Sequence, residues 1–364
     1  MKIGLLGFGV VGQGVYELTT TLDDFTVTKV LCRAKREIPG VKVVTSVEDI
    51  LSDPEIDLVV ECIGGIDPAY TYIKGALLAG KHVVTSNKAV MAAHYDELVN
   101  LSQRQGVGLR CTAAVGGGIC WLSELERAKR CQRVLEVGGI MNGTCNYILD
   151  NMTRYGMDYA QALSQAQELG NAEREPAADV EGFDTFNKVI LSANVAFGIS
   201  LEKTCVPVAG ISRISAGDVV RFHSMGRVCK LVGRAGADFA WVQPVLYPDN
   251  APEAAVPLNF NRISFVGSAT GESALFGQGA GRYPTAYNVV QDLADIRRGC
   301  GFYAPAGPKT VVHNRLEMCY YVRGDWDGPI REDLCGAVIT QPIAVADMHA
   351  WLREHPGAFI AALA

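Results

Sequence analysis

The segment EGFDTFNKVILSANVAF, residues 181–197, contains an acid and a base one helical turn apart in a mostly apolar stretch. Asp184 and Lys188 are four residues apart, so their side chains can meet on the surface of one helix. One interpretation is a solvated salt bridge, which stabilises a protein very little. The other is proton transfer, because a partly buried lysine can take up and release a proton while a neighbouring aspartate orients it. The rest of the sequence has to decide between a structural and a catalytic pair.

The N-terminal sequence KIGLLGFGVVGQGV predicts a strand, a glycine turn and a helix that bind a dinucleotide. Gly7, Gly9 and Gly12 have the spacing G-x-G-x-x-G, in which the glycines allow a tight turn, close approach of a pyrophosphate and close packing of helix on strand. Val10 and Val11 begin the helix, where free N–H groups and the helix dipole attract phosphate. The alternative is a tight strand–helix turn without a ligand.

The next predicted strand, TVTKVLC, is followed by the basic sequence RAKRE. An NAD enzyme usually has an acidic residue here, about 20 residues beyond the last glycine, to hold the ribose 2′-hydroxyl. This chain has Arg33, Lys35 and Arg36 instead, which favours the 2′-phosphate of NADP. NAD remains the alternative cofactor, and a solvated basic turn is the structural interpretation.

Further strands at DLVVECIGG and HVVTSNK, separated by a helix at PAYTYIKGALLAG, predict a Rossmann-type α/β fold with a doubly wound parallel sheet. Ligands of such sheets bind beyond the carboxyl ends of the strands. Gly64, Ser86 and Lys88 follow two of these strands and are therefore predicted to lie at the cofactor, with Lys88 near the nicotinamide.

The composition excludes several classes of protein. A net charge of −6 disfavours nucleic-acid and anionic-membrane binders, and no apolar run reaches the ~20 residues of a membrane span. Strand-forming residues follow Met1 directly, which leaves no room for a signal peptide and predicts a cytoplasmic protein. The 11 cysteines form no C-x-x-C pair and the 6 histidines show no ligand spacing, so no metal centre is predicted.

The remaining sequence predicts a second domain of α+β type, for substrate binding and dimerisation. We expect the dinucleotide-binding domain to span 1–130, the second domain 131–300, and a segment 301–364 to return to the cofactor domain. GQGAGRYPTAYNVVQDLADI, within the second stretch, is expected to form a glycine-rich loop and a helix that also return to the cofactor domain. The polar loop NAEREPAADVEG precedes the helix of Asp184, and its carboxylates are either solvated or cap that helix.

Nearly the whole chain resembles the homoserine dehydrogenase family. The matching segments, in order, are GFGVVGQGV, VVTSNKA, AVGGGI, NGTCNYIL, ELGNAEREPAADVEGFDTFNK and GQGAGRYPTAYNVVQDLADI. The resemblance implies reversible, NAD(P)-dependent interconversion of L-homoserine and L-aspartate 4-semialdehyde on the threonine and methionine branch. It also implies a homodimer.

The resemblance carries site roles to matching positions. It places Lys88 at the reacting carbon or the substrate carboxylate, and Glu173 at the substrate ammonium. It places Asp184 and Lys188 at the polar end of the site. Because the reaction moves a proton together with the hydride, we expect Lys188 to transfer that proton and Asp184 to orient it, although either lysine could be the acid/base. Further predicted substrate-binding residues are Asp179, Gly143, Thr144 and Asn171.

Departures from the family pattern leave alternatives open. Asn171 replaces a usual tyrosine, so a related enzyme for another small amino-acid semialdehyde or alcohol is the first alternative. Thr112 replaces a usual glutamate, which leaves a monovalent cation near Val115 and Gly117 uncertain. A non-catalytic NADPH-binding sensor is the alternative from another class. We expect the C-terminal segment to form no complete regulatory module.

Overall fold

The computed structural model describes residues 1–34, 36–301 and 306–364. Its strands are β1 (Lys2–Leu6), β2 (Thr26–Leu31), β3 (Lys42–Val44), β4 (Leu58–Glu61), β5 (His82–Thr85), β6 (Leu109–Arg110), β7 (Val134–Ile140), β8 (Ser200–Leu201), β9 (Arg227–Ala235), β10 (Ala240–Pro248), β11 (Phe260–Gly267), β12 (Gly271–Gln278), β13 (Lys309–Thr310), β14 (Glu317–Met318), β15 (Tyr320–Arg323), β16 (Ile330–Asp333), β17 (Val338–Thr340), β18 (Ile343–Ala344) and β19 (Phe359–Leu363). Its α-helices are α1 (Val10–Thr19), α2 (Glu48–Leu51), α3 (Ala69–Leu78), α4 (Lys88–Gln105), α5 (Trp121–Ala128), α6 (Gly143–Tyr155), α7 (Tyr159–Glu168), α8 (Ala177–Val180), α9 (Phe183–Phe197), α10 (Ala216–Ser224), α11 (Arg282–Arg297) and α12 (Val345–Glu354). Two 3₁₀-helices span Thr112–Ala114 and Lys203–Cys205.

The chain forms two compact units. Unit 1 comprises Met1–Cys131, Asn194–Ser200 and Gln278–Pro308, and unit 2 comprises Gln132–Ala193, Leu201–Gly277 and Lys309–Ala364. Both therefore contain segments that are distant in sequence.

Unit 1 is built on a six-stranded parallel sheet in the order β3-β2-β1-β4-β5-β6. The predicted Rossmann-type sheet is thereby confirmed. The strand order reverses between β1 and β4, so the loops after these two strands diverge and leave a crevice at their carboxyl ends. Helix α11 contributes Ala286, Val289 and Leu293 to the same hydrophobic core as Leu5 and Val15. The helix at 282–297 thus packs on the nucleotide-binding fold, as the sequence predicted.

Unit 2 contains a nine-stranded mixed sheet in the order β12-β11-β7-β9-β10-β19-β15-β17-β16. Adjacent strands are mostly antiparallel, whereas β10 and β19 are parallel. Its core includes the fully buried aromatic side chains of Trp241 and Tyr320 together with Val245 and Ile360. A sheet of this kind with flanking helices agrees with the predicted α+β second domain.

The expected boundaries differ from this division at the C-terminus. The segment 301–364 was expected to return to the cofactor domain, but residues 309–364 belong to unit 2. The reason is strand pairing, because β19 hydrogen-bonds to β10 on one side and to β15 on the other. Residues 278–300, expected in the second domain, belong to unit 1 through the packing of α11. In the part of the chain that the structure describes, no helix has the length and apolarity needed to cross a membrane.

Candidate functional site

The crevice of unit 1 is a cavity of about 690 Å³ at the carboxyl ends of β1, β2 and β4. Gly7 and Gly9 line it from the turn after β1, Arg33 and Arg36 from the segment after β2, and Ile63 from the loop after β4. Its volume and position suit a dinucleotide.

The glycines of the turn have distinct steric roles. Gly7 has a φ of +92°, and a Cβ there would lie 2.9 Å from the carbonyl oxygen of Cys62. A Cβ on Gly12 would lie 2.2 Å from the carbonyl oxygen of Gly7, so only glycine lets α1 start this close to β1. At Gly9 a Cβ would meet no atom within 4 Å, because that position faces the open crevice. The chain thus forms a cradle that fits a pyrophosphate at the N-terminus of α1.

The two valines that follow have different surroundings. Val10 is 65% exposed at the start of α1. Val11 packs against the hydrophobic core, so its side chain does not face the crevice. Each can contribute its backbone N–H at the helix N-terminus.

Basic side chains lie on the β2 side of the crevice. Arg33 and Arg36 are both exposed and both line the cavity. The Arg36 guanidinium lies 5.6 Å from the centre of the Phe8 ring and donates a hydrogen bond of 3.3 Å to the Phe8 carbonyl. Lys35, predicted to join them, lies outside the described residues. The described arginines fit a 2′-phosphate because guanidinium groups bind phosphate oxygens in a forked geometry.

Glu61 is a site residue that the sequence analysis missed. Its carboxylate is completely buried at the end of β4 and accepts hydrogen bonds from the backbone N–H groups of Ile63 (2.6 Å) and Gly64 (3.2 Å) and from the Thr85 hydroxyl (2.6 Å). Glu61 therefore shapes the loop that contains Gly64. The signal in the sequence is an acid that ends the otherwise apolar strand LVVE.

The second loop of unit 1 positions Lys88. Asn87 caps α4 by accepting from the Val90 N–H (3.2 Å), and its amide donates to the carbonyl oxygen of Gly65 (2.7 Å). Lys88 is the first residue of α4 and is half-buried, as is Ser86. The loops after β4 and β5 are thus joined by Asn87, and Lys88 lies directly beside this junction.

A cluster of carboxylates and one lysine lies in unit 2. The Lys188 ammonium is 2.7 Å from Asp184 Oδ2, and only 8% and 5% of the two side chains are exposed. The ammonium also donates to the Met141 carbonyl oxygen at 2.5 Å. The interpretation as a solvated salt bridge is therefore wrong, because the pair is buried. A buried pair has a larger desolvation cost than a surface pair, and such costs are typical of functional sites.

Asn142 joins this pair to Asp179, and the sequence analysis missed its role. Its amide donates to Asp179 Oδ1 (2.6 Å) and to Asp184 Oδ2 (2.9 Å), while its Oδ1 accepts from the Cys145 N–H (2.7 Å). One side chain thus caps α6 and bridges two carboxylates on other elements. The signal in the sequence is an asparagine before a helix, a common N-cap, although its second role cannot be read from that.

The other predicted substrate-binding residues surround Asp179. The Thr144 hydroxyl contacts the Asn171 carbonyl oxygen (2.6 Å) and Asp179 Oδ2 (3.3 Å). The Asn171 side-chain oxygen accepts from the Asn259 amide at 3.0 Å. A Cβ on Gly143 would lie 2.7 Å from the Asn259 carbonyl oxygen, so that position requires glycine. These residues form one wall beside the carboxylates.

The structure places Glu173 at the surface of unit 2. The residue is exposed, and its backbone carbonyl accepts from the Gln167 amide at 3.0 Å. In the described part of the chain, its side chain forms no hydrogen bond or ion pair with Asp179, Asp184 or Lys188.

The pKa of the buried Cys145 thiol is affected by the charges of the cluster. Burial raises its pKa well above the ordinary value, and the nearby charges of Asp179 and Asp184 raise it further. Its Sγ donates to the Asp179 carbonyl oxygen at 3.2 Å. The thiol therefore stays protonated, and proton chemistry in the cluster falls to Lys188 and the carboxylates.

The region considered for a monovalent cation has other contacts. The carbonyl oxygen of Gly117 accepts from the Asn288 amide at 2.6 Å. Thr112, on the 3₁₀-helix that ends just before Val115, donates its hydroxyl proton to Asp292 at 2.7 Å. The described residues contain no group of three or more His, Cys, Asp or Glu side chains that could hold a metal ion.

Comparisons with known proteins agree on one family. The homoserine dehydrogenase family model matches residues 121–294, and the model of the homoserine dehydrogenase NAD-binding domain matches residues 7–111. The chain is 37% identical to the homoserine dehydrogenase of Bacillus subtilis over 316 residues, which are 82% of this chain and 73% of that protein. It is 37% identical to the homoserine dehydrogenase of Synechocystis over 81% of this chain and 73% of that protein.

Solved structures give the same result. A homoserine dehydrogenase from Thiobacillus denitrificans superposes with a TM-score of 0.90 at 28% identity, covering 100% of this chain and 98% of that one. The homoserine dehydrogenase of Staphylococcus aureus gives a TM-score of 0.79 at 26% identity, with the same coverage of both chains.

Proposed function

The chain belongs to the homoserine dehydrogenase family, and we propose that it interconverts L-homoserine and L-aspartate 4-semialdehyde with NADP as the preferred cofactor. The observation that supports the chemistry best is the buried Asp184–Lys188 ion pair, to which Asn142 joins Asp179. Family members are NAD(P)-dependent oxidoreductases, and we place this one in the cytoplasm, on the branch to threonine and methionine.

The residues of unit 1 would hold the dinucleotide. Gly7, Gly9 and the first N–H groups of α1 would bind the pyrophosphate, while Arg33 and Arg36 would bind the 2′-phosphate. The chemistry that a bound nicotinamide supplies is reversible acceptance of a hydride from the carbinol carbon. Lys88 would place a positive charge at the substrate carboxylate or at the developing alkoxide.

Lys188 is proposed to move the proton that accompanies the hydride. Two of its three ammonium N–H groups are used by Asp184 and Met141, which leaves one to donate to the oxygen of an aldehyde. In the direction of semialdehyde reduction this proton completes the new hydroxyl group. In the direction of oxidation the neutral amine takes the hydroxyl proton, and Asp184 holds the resulting ammonium in place.

The substrate ammonium would be bound by carboxylate oxygens of the cluster. Asp179 lies beside Thr144 and Asn171 and provides such an oxygen. Asp179 is half-buried and hydrogen-bonded to Asn142, whereas Glu173 is exposed, so we infer that Asp179 is the better anchor.

The decisive experiment is a steady-state assay with L-homoserine and NADP of the wild type and Lys188→Met. Loss of a general acid–base is expected to lower kcat by about 100-fold or more. Lys230→Met is the matched control, since Lys230 is the other buried lysine among the described residues of unit 2. Its kcat should stay within about tenfold of the wild type. Equal losses in both variants would assign Lys188 a structural role, and no turnover by the wild type would overturn the proposed reaction.

The cofactor preference is tested at the basic side of the crevice. Arg33→Ala and Arg36→Ala should each raise the KM for NADP by about tenfold, the cost of one charge-assisted contact, and leave the KM for NAD unchanged. Arg104→Ala, an exposed arginine of α4 outside the cavity, is the control. Equal changes for both cofactors would contradict a contact with the 2′-phosphate.

A homodimer is proposed from the family resemblance. Strand β12 ends the nine-stranded sheet of unit 2 and carries Phe276, which is 57% exposed; an open edge with an apolar side chain supports association. Light scattering should give twice the chain mass, and the monomer mass at assay concentrations would contradict the proposal.

A further inference from the structure

Unit 2 contains another cavity, of about 320 Å³, which none of the proposed catalytic residues lines. Its walls are the loop 207–213, helix α12 and the start of β19, and Glu181 and Phe183 complete them beside the start of α9. Its volume is at the small end of the range for ligand pockets, so a small molecule would fill it.

The cavity has charged groups at its rim whose partners are absent from the described residues. Arg213 and Arg353 line it, and neither guanidinium group forms an ion pair or side-chain hydrogen bond with another residue that the structure describes. The same holds for the carboxylate of Glu181. Two guanidiniums suit a carboxylate, and one carboxylate suits an ammonium, so the rim is complementary to a zwitterion.

The inner wall is uncharged. Burial lowers the pKa of His349 to about 4, so its ring is neutral near pH 7. Its Nε2 lies 2.8 Å from the side-chain oxygen of Gln243, which also accepts from the Tyr320 hydroxyl. Because an amide oxygen only accepts, Nε2 carries the ring proton and Nδ1 is a hydrogen-bond acceptor. Leu352 and Ile360 make the rest of this wall apolar.

From the charged rim and the apolar wall we infer that this cavity binds a small aliphatic α-amino acid. The carboxylate would lie between Arg213 and Arg353, the ammonium at Glu181, and the side chain against Leu352 and Ile360.

An occupant of the cavity would press on the segment that carries the carboxylate cluster. Glu181, which lines the cavity, stands between Asp179 and Asp184 in the sequence. The loop 207–213 is joined to this segment by the Ile211 N–H, which donates to the Val180 carbonyl oxygen at 2.7 Å. This coupling, unlike the binding itself, rests on the proposed function.

Calorimetric titration of the full chain with three related probes tests the binding. L-Leucine has both charged groups, 4-methylpentanoate lacks the ammonium, and L-leucinamide lacks the carboxylate. Saturable binding of one L-leucine per chain is expected, with each of the other probes about tenfold weaker or more. Absence of L-leucine binding overturns the site, and equal binding of 4-methylpentanoate overturns the role of Glu181.

Variants locate the probe in the cavity. Arg213→Gln and Arg353→Gln should each lower the affinity for L-leucine by about tenfold. Both residues are exposed, so the fold should tolerate the change. Arg315→Gln is the matched control, an exposed arginine of unit 2 outside the cavity. Unchanged affinity in the first two variants would exclude the proposed site.

The coupling has a separate readout in the kinetics. L-Leucine at saturation should change the KM for homoserine in the wild type and have no effect in Arg353→Gln. Binding without any kinetic change would overturn the coupling and leave the site standing. Absence of turnover in the leucine-free enzyme would instead count against the proposed function.

Discussion

Asn142 shows how much one side chain can hold together in this protein. It caps α6 and bridges Asp179 and Asp184 with the two N–H groups of its amide. Asn142→Ala removes the cap, worth about 1 kcal/mol, and takes one hydrogen-bond donor from each of two carboxylates, at about 1–3 kcal/mol. We expect the free energy of unfolding to fall by about 2–4 kcal/mol in urea titrations, and kcat/KM to fall with it.

Asp158→Ala is the control that separates the contribution of a helix cap from that of the bridge between the carboxylates. Asp158 caps α7 through the Gln161 N–H at 2.8 Å and is exposed, so its loss removes a cap alone. A loss of about 1 kcal/mol is expected there. If Asn142→Ala and Asp158→Ala lower the free energy of unfolding equally, the bridge between the carboxylates does not contribute to stability.

Lys230 is a buried lysine whose burial makes the stability depend on pH. Burial lowers its pKa to about 8 from 10.5, although its ammonium donates to Asn146 Oδ1 (2.9 Å) and the Val256 carbonyl oxygen (2.7 Å). Between pH 8 and 10.5 the unfolded chain holds this proton and the folded chain does not, so stability from this residue rises with pH. Below pH 8 both states are charged and the cost of burial is complete, roughly 3 kcal/mol.

The prediction concerns the difference between Lys230→Met and the wild type. As pH rises from 8 to 10, the wild type should gain free energy of unfolding relative to the variant. Urea titrations at several pH values measure this difference. Lys309→Met, at an exposed position of the same unit, should show no such trend. A pH-independent difference for Lys230→Met would mean that the lysine keeps its proton throughout.

At the scale of elements, two glycines of the β1–turn–α1 segment are needed for different reasons. Gly12 is needed for close packing, and Gly9 is needed for cofactor binding. Gly12→Ala should lower the melting temperature, because its Cβ would lie 2.2 Å from the Gly7 carbonyl oxygen. Gly9→Ala should leave the melting temperature nearly unchanged, since Gly9 has a φ of −79° and open space around it. Gly9→Ala should nevertheless weaken the binding of NADPH, because the new methyl group occupies the crevice.

These two alanine variants are each other's control. Thermal unfolding without cofactor measures the steric effect, and titration of NADPH fluorescence measures binding. Loss of stability in Gly9→Ala, or normal stability in Gly12→Ala, would contradict the assigned roles.

At the scale of the whole molecule, a buried ion pair connects positions far apart in sequence. Arg110 on β6 donates to Asp292 on α11 at 2.9 Å, with 2% and 0% of the side chains exposed. Asp292 also accepts from the backbone N–H and the hydroxyl of Thr112, both at 2.7 Å. Arg110 also contacts the carboxylates of Glu126 (3.0 Å) and Asp295 (3.1 Å). Asp292→Ala removes the most deeply buried of its three carboxylate partners, so a loss of about 1–3 kcal/mol is expected in urea titrations.

Replacement of both partners distinguishes a paired charge from simple packing. The double variant Arg110→Met, Asp292→Leu should be more stable than Asp292→Ala, because apolar side chains then fill the space of both members of the most deeply buried pair. Lys2→Ala breaks the exposed ion pair with Glu55 and should cost less than about 1 kcal/mol. A double variant less stable than the single one would show that the polar network itself is required.

Local features were predictable from the sequence because covalent geometry sets them. The spacing of Gly7, Gly9 and Gly12 between a strand and a helix predicted the turn, and the spacing of Asp184 and Lys188 predicted their contact. Alternation of strands and helices predicted the parallel sheet of unit 1. Each of these depends only on residues within a few turns of chain, or on a repeated local pattern.

Only the tertiary structure decided burial and long-range pairing. Whether the Asp184–Lys188 pair is solvated depends on what packs over α9, and the bridge by Asn142 joins residues 37 and 42 positions away. The division into units likewise follows from contacts of α11 with the core of unit 1 and from β19 pairing with β10. No local pattern encodes such contacts, because they depend on which distant surfaces the folded chain brings together.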